Sequence, residues 1–343
     1  MNIEITGTAP PDWDSFVARQ PLASAYHTSA AVMIGARAFR LPVSFIAARD
    51  ESRALRGVLP LVEQSSMIFG RFLVSLPFFT YGGALADDEN CASTLVQAAI
   101  DLGRERRVDH IELRHTGVNA SISLPTRQDK VSMMLPLPAT VDALGKQLGS
   151  KLRSQIKRAE REAPEVIWGG AELAADFYGV FAASMHALGT PVYPRAFFDV
   201  ALAALRDVSK VLVIRVKGNV EAAAVLVRHG DRMEVPWAAA TEFAKRGGIN
   251  MRMYWELLCY SLQAGAPKFD FGRSSVDSGT YKFKAQWGAQ PVQLNWYCWM
   301  ARGAALPNLN SSNPRYALAS RLWRRLPLRV ANTLGPWIIR NLP

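Results

Sequence analysis

The sequence predicts an α+β chain of two similarly built domains, each a mixed sheet with helices on its faces. Three observations lead there. The chain has 343 residues, more than one core of ~150 residues organises. Its composition is 49% hydrophobic and 20% charged, which supplies apolar surface for two cores and excludes a disordered chain. One order of elements, strand, Gly-Gly loop, helix, strand, occurs twice.

The first half opens on a short strand at 3–5, followed by helices at 13–19 and 30–38. Apolar or alternating runs at 43–48, 55–62 and 72–76, parted by polar turns, read as strands. Tyr81-Gly82-Gly83 is the loop, 88–107 the helix it feeds, and Asp109-His110-Ile111-Glu112-Leu113-Arg114 the strand beyond. A strand at 131–137 closes this half between Pro136 and Pro138. In the second half, helices at 141–148 and 150–162 lead to a strand at 165–168. Helices at 173–187 and 194–205 precede three strands at 208–216, 222–227 and 232–239. Arg246-Gly247-Gly248-Ile249-Asn250, a helix at 251–264 and the strand Lys268-Phe269-Asp270-Phe271-Gly272-Arg273 complete the repeat. The expected division is a domain at 1–137, a second at 138–302 and a tail at 303–343.

Charge is informative once located. Lys plus Arg number 40 against 29 Asp plus Glu, a net +11, yet after Asp277 there are nine bases and no acid. An anionic partner is expected at that end and no DNA partner. Leu318, Leu322, Trp323, Leu334, Trp337 and Ile338 interleave there with arginines. That pattern fits a basic amphipathic segment on an anionic membrane surface, or one that packs back on the second domain. No stretch reaches the ~18 apolar residues of a membrane span. The opening Met1-Asn2-Ile3-Glu4-Ile5-Thr6 lacks the order of a secretory leader, and Cys91, Cys259 and Cys298 are few, odd and distant. A cytoplasmic protein, peripheral at the inner membrane, is expected. The five histidines have no metal-site spacing, and neither Gly-x-Ser-x-Gly nor a Walker loop occurs, so no metal, serine-hydrolase or P-loop chemistry is expected.

In the helix at 150–162, Leu152, Ile156 and Ala159 form a buried stripe, while Arg153, Lys157 and Arg161 recur at one-turn spacing opposite. That basic face is either solvated, offset by Glu160, Glu162 and Glu165, or a phosphate-binding face. A Gly-rich loop at a helix N-terminus offers amides and a dipole to an anion, which makes Arg246, Gly247, Gly248 and Asn250 candidates. For Gly82-Gly83, a plain turn needing positive φ explains the residues as well. Where the strand 268–273 leaves its sheet, Arg273 suits a bidentate clamp on carboxylate or phosphate. Asp270 alternates with Phe269 and Phe271, and either orients a base or pairs with Arg273. Tyr281 and Trp287 either stack on a base or sugar or belong to the core. His186, just before Leu188-Gly189-Thr190-Pro191, is either structural or turned to substrate.

Two segments carry a resemblance. Lys151-Leu152-Arg153-Ser154-Gln155-Ile156-Lys157-Arg158-Ala159-Glu160 resembles a helix of FemAB-related transferases. Phe269-Asp270-Phe271-Gly272-Arg273-Ser274, then Gly279-Thr280-Tyr281-Lys282-Phe283-Lys284 and Trp287-Gly288, resembles their C-terminal signature. With the run at 188–191 and the tail at 326–336, the sequence is similar to FemAB-like proteins that accompany exosortase and exopolysaccharide systems, over about residues 140–340. The resemblance implies tandem GNAT-like (acyl-CoA N-acyltransferase-like) domains. It also implies transfer of an acyl or aminoacyl group to an amine on a cell-envelope or exopolysaccharide precursor. The donor would be acyl-CoA or aminoacyl-tRNA, with no tightly bound cofactor. Lys284 falls on the Phe-Lys of the signature, a place for an oxyanion-stabilising cation. Ser274, Tyr281, Lys282 and Trp287 fall in the same signature as substrate-binding positions. The Arg/Gln-x-x-Gly-x-Gly/Ala wording of acyl-CoA transferases is absent. Its absence favours the rival reading, a catalytically silent tandem-GNAT protein that binds a phosphorylated glycan lipid or RNA.

Overall fold

The computed structural model describes residues 1–66, 70–117, 119–301 and 314–341, with side chains from 318 onward in the last stretch. Strands of the first half are β1 (Asn2–Thr6), β2 (Val43–Arg49), β3 (Leu55–Ser66), β4 (Gly70–Val74), β5 (Leu85–Ala86), β6 (His110–His115) and β7 (Thr126–Arg127). The others are β8 (Lys130–Pro136), β9 (Glu165–Gly169), β10 (Ser209–Val216), β11 (Asn219–His229), β12 (Arg232–Ala240), β13 (Lys268–Ser275), β14 (Gln290–Gln293) and β15 (Asn295–Met300). Helices α1 (Trp13–Arg19), α2 (Ser29–Val32), α3 (Ile34–Phe39) and α4 (Glu89–Glu105) precede α5 (Val141–Gln147) and α6 (Ser150–Ala159). Then come α7 (Ala174–Ala187), α8 (Arg195–Ala204), α9 (Glu242–Gly247), α10 (Ile249–Gln263), α11 (Gly279–Ala285), α12 (Pro314–Trp323) and α13 (Leu328–Ile339).

The described residues divide into two compact units. One holds 1–130 with the described parts of 293–309 and 338–343; the other holds 131–292 and 314–337. In the first unit the sheet order is β1-β2-β3-β4-β6-β15-β7, with β5 beside β3. Neighbours are antiparallel except β4 and β6, which are parallel. A parallel step needs a crossover, and α4 supplies it. Its Leu95, Val96 and Ala99 bury against Ile46, Leu59 and Ile111 of the sheet.

In the second unit the order is β14-β8-β13-β12-β11-β10-β9. From β9 to β12 the strands are antiparallel; β12 and β13 are parallel, with α10 as crossover. Val211–Ile214 and Ala222–Val227 are buried without alternation, as strands covered on both faces must be. One face carries Leu257, Leu258 and Met253 of α10 with Leu152 of α6. An aromatic cluster of Phe177, Phe181, Phe197, Phe198 and Trp237 fills another part of this core.

Both sheets thus show one plan: four antiparallel strands, a parallel step across a helix, then a strand supplied by the other half of the sequence. This corrects the expected division. The strand expected to close the first half at 131–137 is β8 and lies between β13 and β14, while β15 joins the first sheet. Apolar patterning specifies that a segment enters a sheet and which face it buries, not which sheet it enters. The described part of the tail packs on the second unit. Gly335 of α13 backs onto Val192, where an added Cβ would lie 3.0 Å from both its N and its O. Arg302 and the side chains of Arg315 and Tyr316 lie outside the described residues.

Candidate active site

The end of β13 is built around two buried charges. Phe269 and Phe271 pack edge to face at 4.8 Å in the core, so pleating sends the intervening Asp270 the other way. Asp270 accepts from Ser132 Oγ of β8 at 2.5 Å and from the Gly272 amide at 2.8 Å. Gly272 has φ +75°, a left-handed conformation that favours glycine and turns the strand. Ser278 then caps α11, its Oγ accepting from the Tyr281 amide at 3.2 Å. That short helix brings Lys284 back to the turn, where Nζ donates to the carbonyls of Gly272 and Arg273, each at 2.9 Å. Burial pushes the Lys284 ammonium down to about 8, aided by Arg273, while Asp270 and Glu234 act in the opposite sense. At neutral pH the group stays mostly charged, with a third proton beyond the two given to the backbone.

The neighbouring candidates separate by burial. Arg273 and Lys282 are exposed, Tyr281 is half-buried against the core, and Ser274 is buried with an Oγ that has no partner among the described residues. Trp287 is a core residue, its ring among Tyr254 and Phe271, so stacking on a ligand is the wrong alternative for it. A large apolar ring gains more from full burial than from a wet cleft. His186 is half-buried, and its Nε2–H donates to the Leu326 carbonyl at 2.9 Å, tying α7 to the chain before α13.

The loop at 246–250 and α6 meet closely. Gly248 has φ +86°, and a Cβ there would lie 2.5 Å from the Gln155 carbonyl. Conformation and contact both demand glycine at Gly248; Gly247 has neither constraint. α10 starts at Gly248 without a side-chain cap, with Lys245 and Arg246 in the turn before it and Asn250 half-buried in its first turn. A helix start of this kind favours an anion. Arg153 stays exposed on α6, with one arm of its guanidinium turned to the chain. It donates to the carbonyls of Gly145 and Leu148, closing the end of α5. Lys157 lies on the open side, bordering with Ser154, Arg158, Glu160 and Arg161 a shallow depression of about 550 Å³.

Sequence reasoning missed a cavity of about 550 Å³ in the first unit, bordered by His27, Gly82, Gly83, Asp88, Arg114 and His115. Neither glycine of that loop has positive φ. Both are needed for close approach: a Cβ would lie 2.7 Å from the Ser75 carbonyl at Gly82 and 2.6 Å from the His115 ring at Gly83. The loop amides are already used. Gly82 and Gly83 donate to the Arg114 carbonyl at 3.1 and 2.9 Å, and Ala84 donates to His115 Nε2 at 3.1 Å. Burial pushes His115 down to about 4, so the ring is neutral with its proton on Nδ1. Asp88 caps α4 through the Cys91 amide at 2.7 Å, between Asp87 and Glu89. The acids at 87–89 were the available signal that this loop disfavours an anion. Among the described residues no three His, Cys, Asp or Glu side chains are grouped as metal ligands.

Residues 150–285 match the family model described as Acetyltransferase (GNAT) domain. No curated protein sequence matches the chain. Among solved structures, FemX superposes with a TM-score of 0.67 at 13% identity, over 86% of this chain and 97% of that one. L-PGS from Bacillus licheniformis gives 0.57 at 12% identity, over 93% and 98%. A tandem GNAT protein from the clavulanic acid biosynthesis pathway gives 0.50 at 11% identity, over 89% and 100%. The turn after β13, the helix that returns Lys284 and the start of α10 all lie within or beside the stretch that matches the GNAT acetyltransferase domain, and the chain as a whole has the fold of the FemX and tandem-GNAT structures.

Proposed function

We propose that the chain transfers an activated acyl or aminoacyl group to an amine on a cell-envelope or exopolysaccharide precursor. The observation that carries this reading is Lys284, a buried ammonium fixed by two carbonyls at the end of β13. As the amine attacks the donor carbonyl, the C–N bond forms and the carbonyl oxygen becomes anionic. The remaining Lys284 proton is then directed to that oxygen; collapse breaks the C–S bond to CoA or the C–O bond to tRNA, and the proton the attacking nitrogen gives up ends on the leaving sulfur or oxygen. Asp270 acts as a positioning residue, holding the Gly272 turn through its amide and tying it to β8 through Ser132. Arg273 grips a phosphate or carboxylate of a substrate, with Ser274, Tyr281 and Lys282 beside it in sequence. Both donor types bring phosphates, for which the uncapped start of α10, with Arg246, Gly248 and Asn250, is suited; Lys157 is a further phosphate contact on α6. The reaction is assigned no metal and no tightly bound cofactor, and the protein a cytoplasmic place, peripheral at the inner membrane.

One observation favours a silent binding protein instead: two of the three Lys284 protons are committed to the backbone. Mass spectrometry of the purified protein for co-purifying CoA esters, tRNA or lipid-linked sugars distinguishes the readings and names the donor. Once a donor is known, Lys284→Ala should lower turnover ~10²–10³-fold, the loss of one oxyanion stabiliser. An unchanged rate would overturn the role given to Lys284.

A further inference from the structure

The second unit ends in two short helices with unlike faces. One face is docked: His186 donates to the Leu326 carbonyl, Ser320 Oγ to the Leu188 carbonyl at 3.3 Å, and Ala331 and Gly335 are buried. The other face is apolar and open to solvent. Leu318 and Leu322 on α12 are 59% and 54% exposed, at one-turn spacing. Val330, Leu334 and Trp337 on α13 recur at i, i+4 and i+7, and Trp337 is 67% exposed. Seven of the fifteen exposed large hydrophobic residues among the described ones lie between 318 and 338. Such concentration marks an interaction surface, whereas scattered single residues would need no explanation.

Charge decides what the surface meets. Arg321, Arg324, Arg325 and Arg329 are all exposed within it, and the sequence has no acid after Asp277. Apolar side chains ringed by arginine alone complement a surface that is apolar beneath and anionic above. We infer that α12 and α13 lie in the plane of an anionic lipid bilayer, inserting the Leu318–Leu322 and Val330–Leu334–Trp337 stripes below its headgroups. With ten and twelve residues these helices are about 15–18 Å long, and no described helix is long and apolar enough to cross a membrane. In-plane attachment is the geometry left to them. Neither the apolar stripe nor the charge suffices alone, because each contributes only marginal membrane affinity.

Truncation is the wrong test, since it strips Gly335 from Val192 and Leu326 from His186. Point variants on the outer face leave those contacts intact. Intact protein should co-sediment with vesicles of phosphatidylcholine mixed with phosphatidylglycerol, not with phosphatidylcholine alone, and should release as salt rises. R321Q/R324Q/R325Q should weaken binding ~10²-fold, from the contribution of each base near an anionic surface. L322S/W337S should weaken it as well, with both variants melting as the parent does. Equal sedimentation with neutral and anionic vesicles, or no loss in the two variants, overturns the inference. So does a dimer that L322S/W337S dissolves in a protein that ignores vesicles, because the stripe would then meet a second copy. The transfer reaction is a separate matter: failure to bind vesicles with turnover intact overturns this inference alone.

Discussion

Lys284→Met removes the buried ammonium while keeping an unbranched chain of similar length. The structure gives the replacement a signature in stability against pH. In the fold the group titrates near 8, against an ordinary 10.5 in the unfolded chain. Between those values the unfolded state holds a proton that the folded state has lost, so stability rises with pH across that window. The gap is worth about 3 kcal/mol, an order-of-magnitude figure that needs no discount for solvent because the side chain is buried. Below pH 8 both states are protonated and the contribution is level; above 10.5 both are neutral and it is level again. Tyr254 is pushed up to about 12 by burial, and Cys259 and Cys298 likewise, which lowers stability at alkaline pH in parent and variant alike. The measurement is therefore a difference: urea unfolding of parent minus variant at intervals from pH 7 to 10.5. A rise of about 3 kcal/mol is expected. A flat difference would show that Lys284 is hydrated; a falling one would show that Asp270 and Glu234 outweigh burial and hold it charged. In turnover the parent should lose rate on an alkaline limb near 8, as the oxyanion stabiliser loses its proton.

Asp270→Asn places an amide against the Ser132 hydroxyl and the Gly272 amide, and should cost about 2–3 kcal/mol in urea unfolding. It should also move the alkaline limb to lower pH, because Asp270 opposes the depression of Lys284. Gly218→Ala, at φ +81° facing open space, should cost roughly 1–2 kcal/mol. Gly248→Ala should cost ~2 kcal/mol more, from the contact with the Gln155 carbonyl; equal losses would remove the close approach of α6 from the explanation. Calorimetry with a CoA ester should give one site per chain, weakened by Arg246→Gln and untouched by Arg19→Gln; two sites would refute the asymmetry of the two Gly-Gly loops.

The shared plan was legible because both halves keep one local order, and β6 and β13 both follow a crossover helix to lie parallel to their partners. The exchange of β8 and β15 was not legible, since it concerns partner choice between two sheets with the same patterning. Side-chain roles were not legible where tertiary contact chooses between alternatives. Arg153 has the spacing of a phosphate ligand, yet carbonyls at the end of α5 lie within its reach. Trp287 sits inside the most specific motif, and burial still claims its ring. Gly83 reads as a turn glycine, but its reason is the His115 ring, 32 positions away in sequence and adjacent only across the fold.

The two copies differ most at one matched position, the acid on the strand after the crossover. Glu112 of β6 is buried and answered by two guanidiniums, Arg114 at 2.8 Å and Arg127 at 2.9 Å. Arg114 is itself locked, stacked 4.4 Å from Trp296 and donating to the carbonyls of Pro77 and Phe79. A guanidinium does not lose its proton in this pH range, and a fork with every arm engaged has nothing left for a substrate. In the second copy Asp270 meets a hydroxyl and an amide, and the nearby cation is Lys284, whose proton is labile near 8 and whose third N–H is not used by the turn. The loops diverge the same way: amides spent and acids at the helix start in the first copy, an uncapped helix with bases before it in the second. An acid fixed by arginines leaves no titratable proton for chemistry; an acid beside a titratable lysine does. On the proposed reading the chemistry therefore belongs to the second unit, and the first holds a buried ion-pair cluster at the matching place.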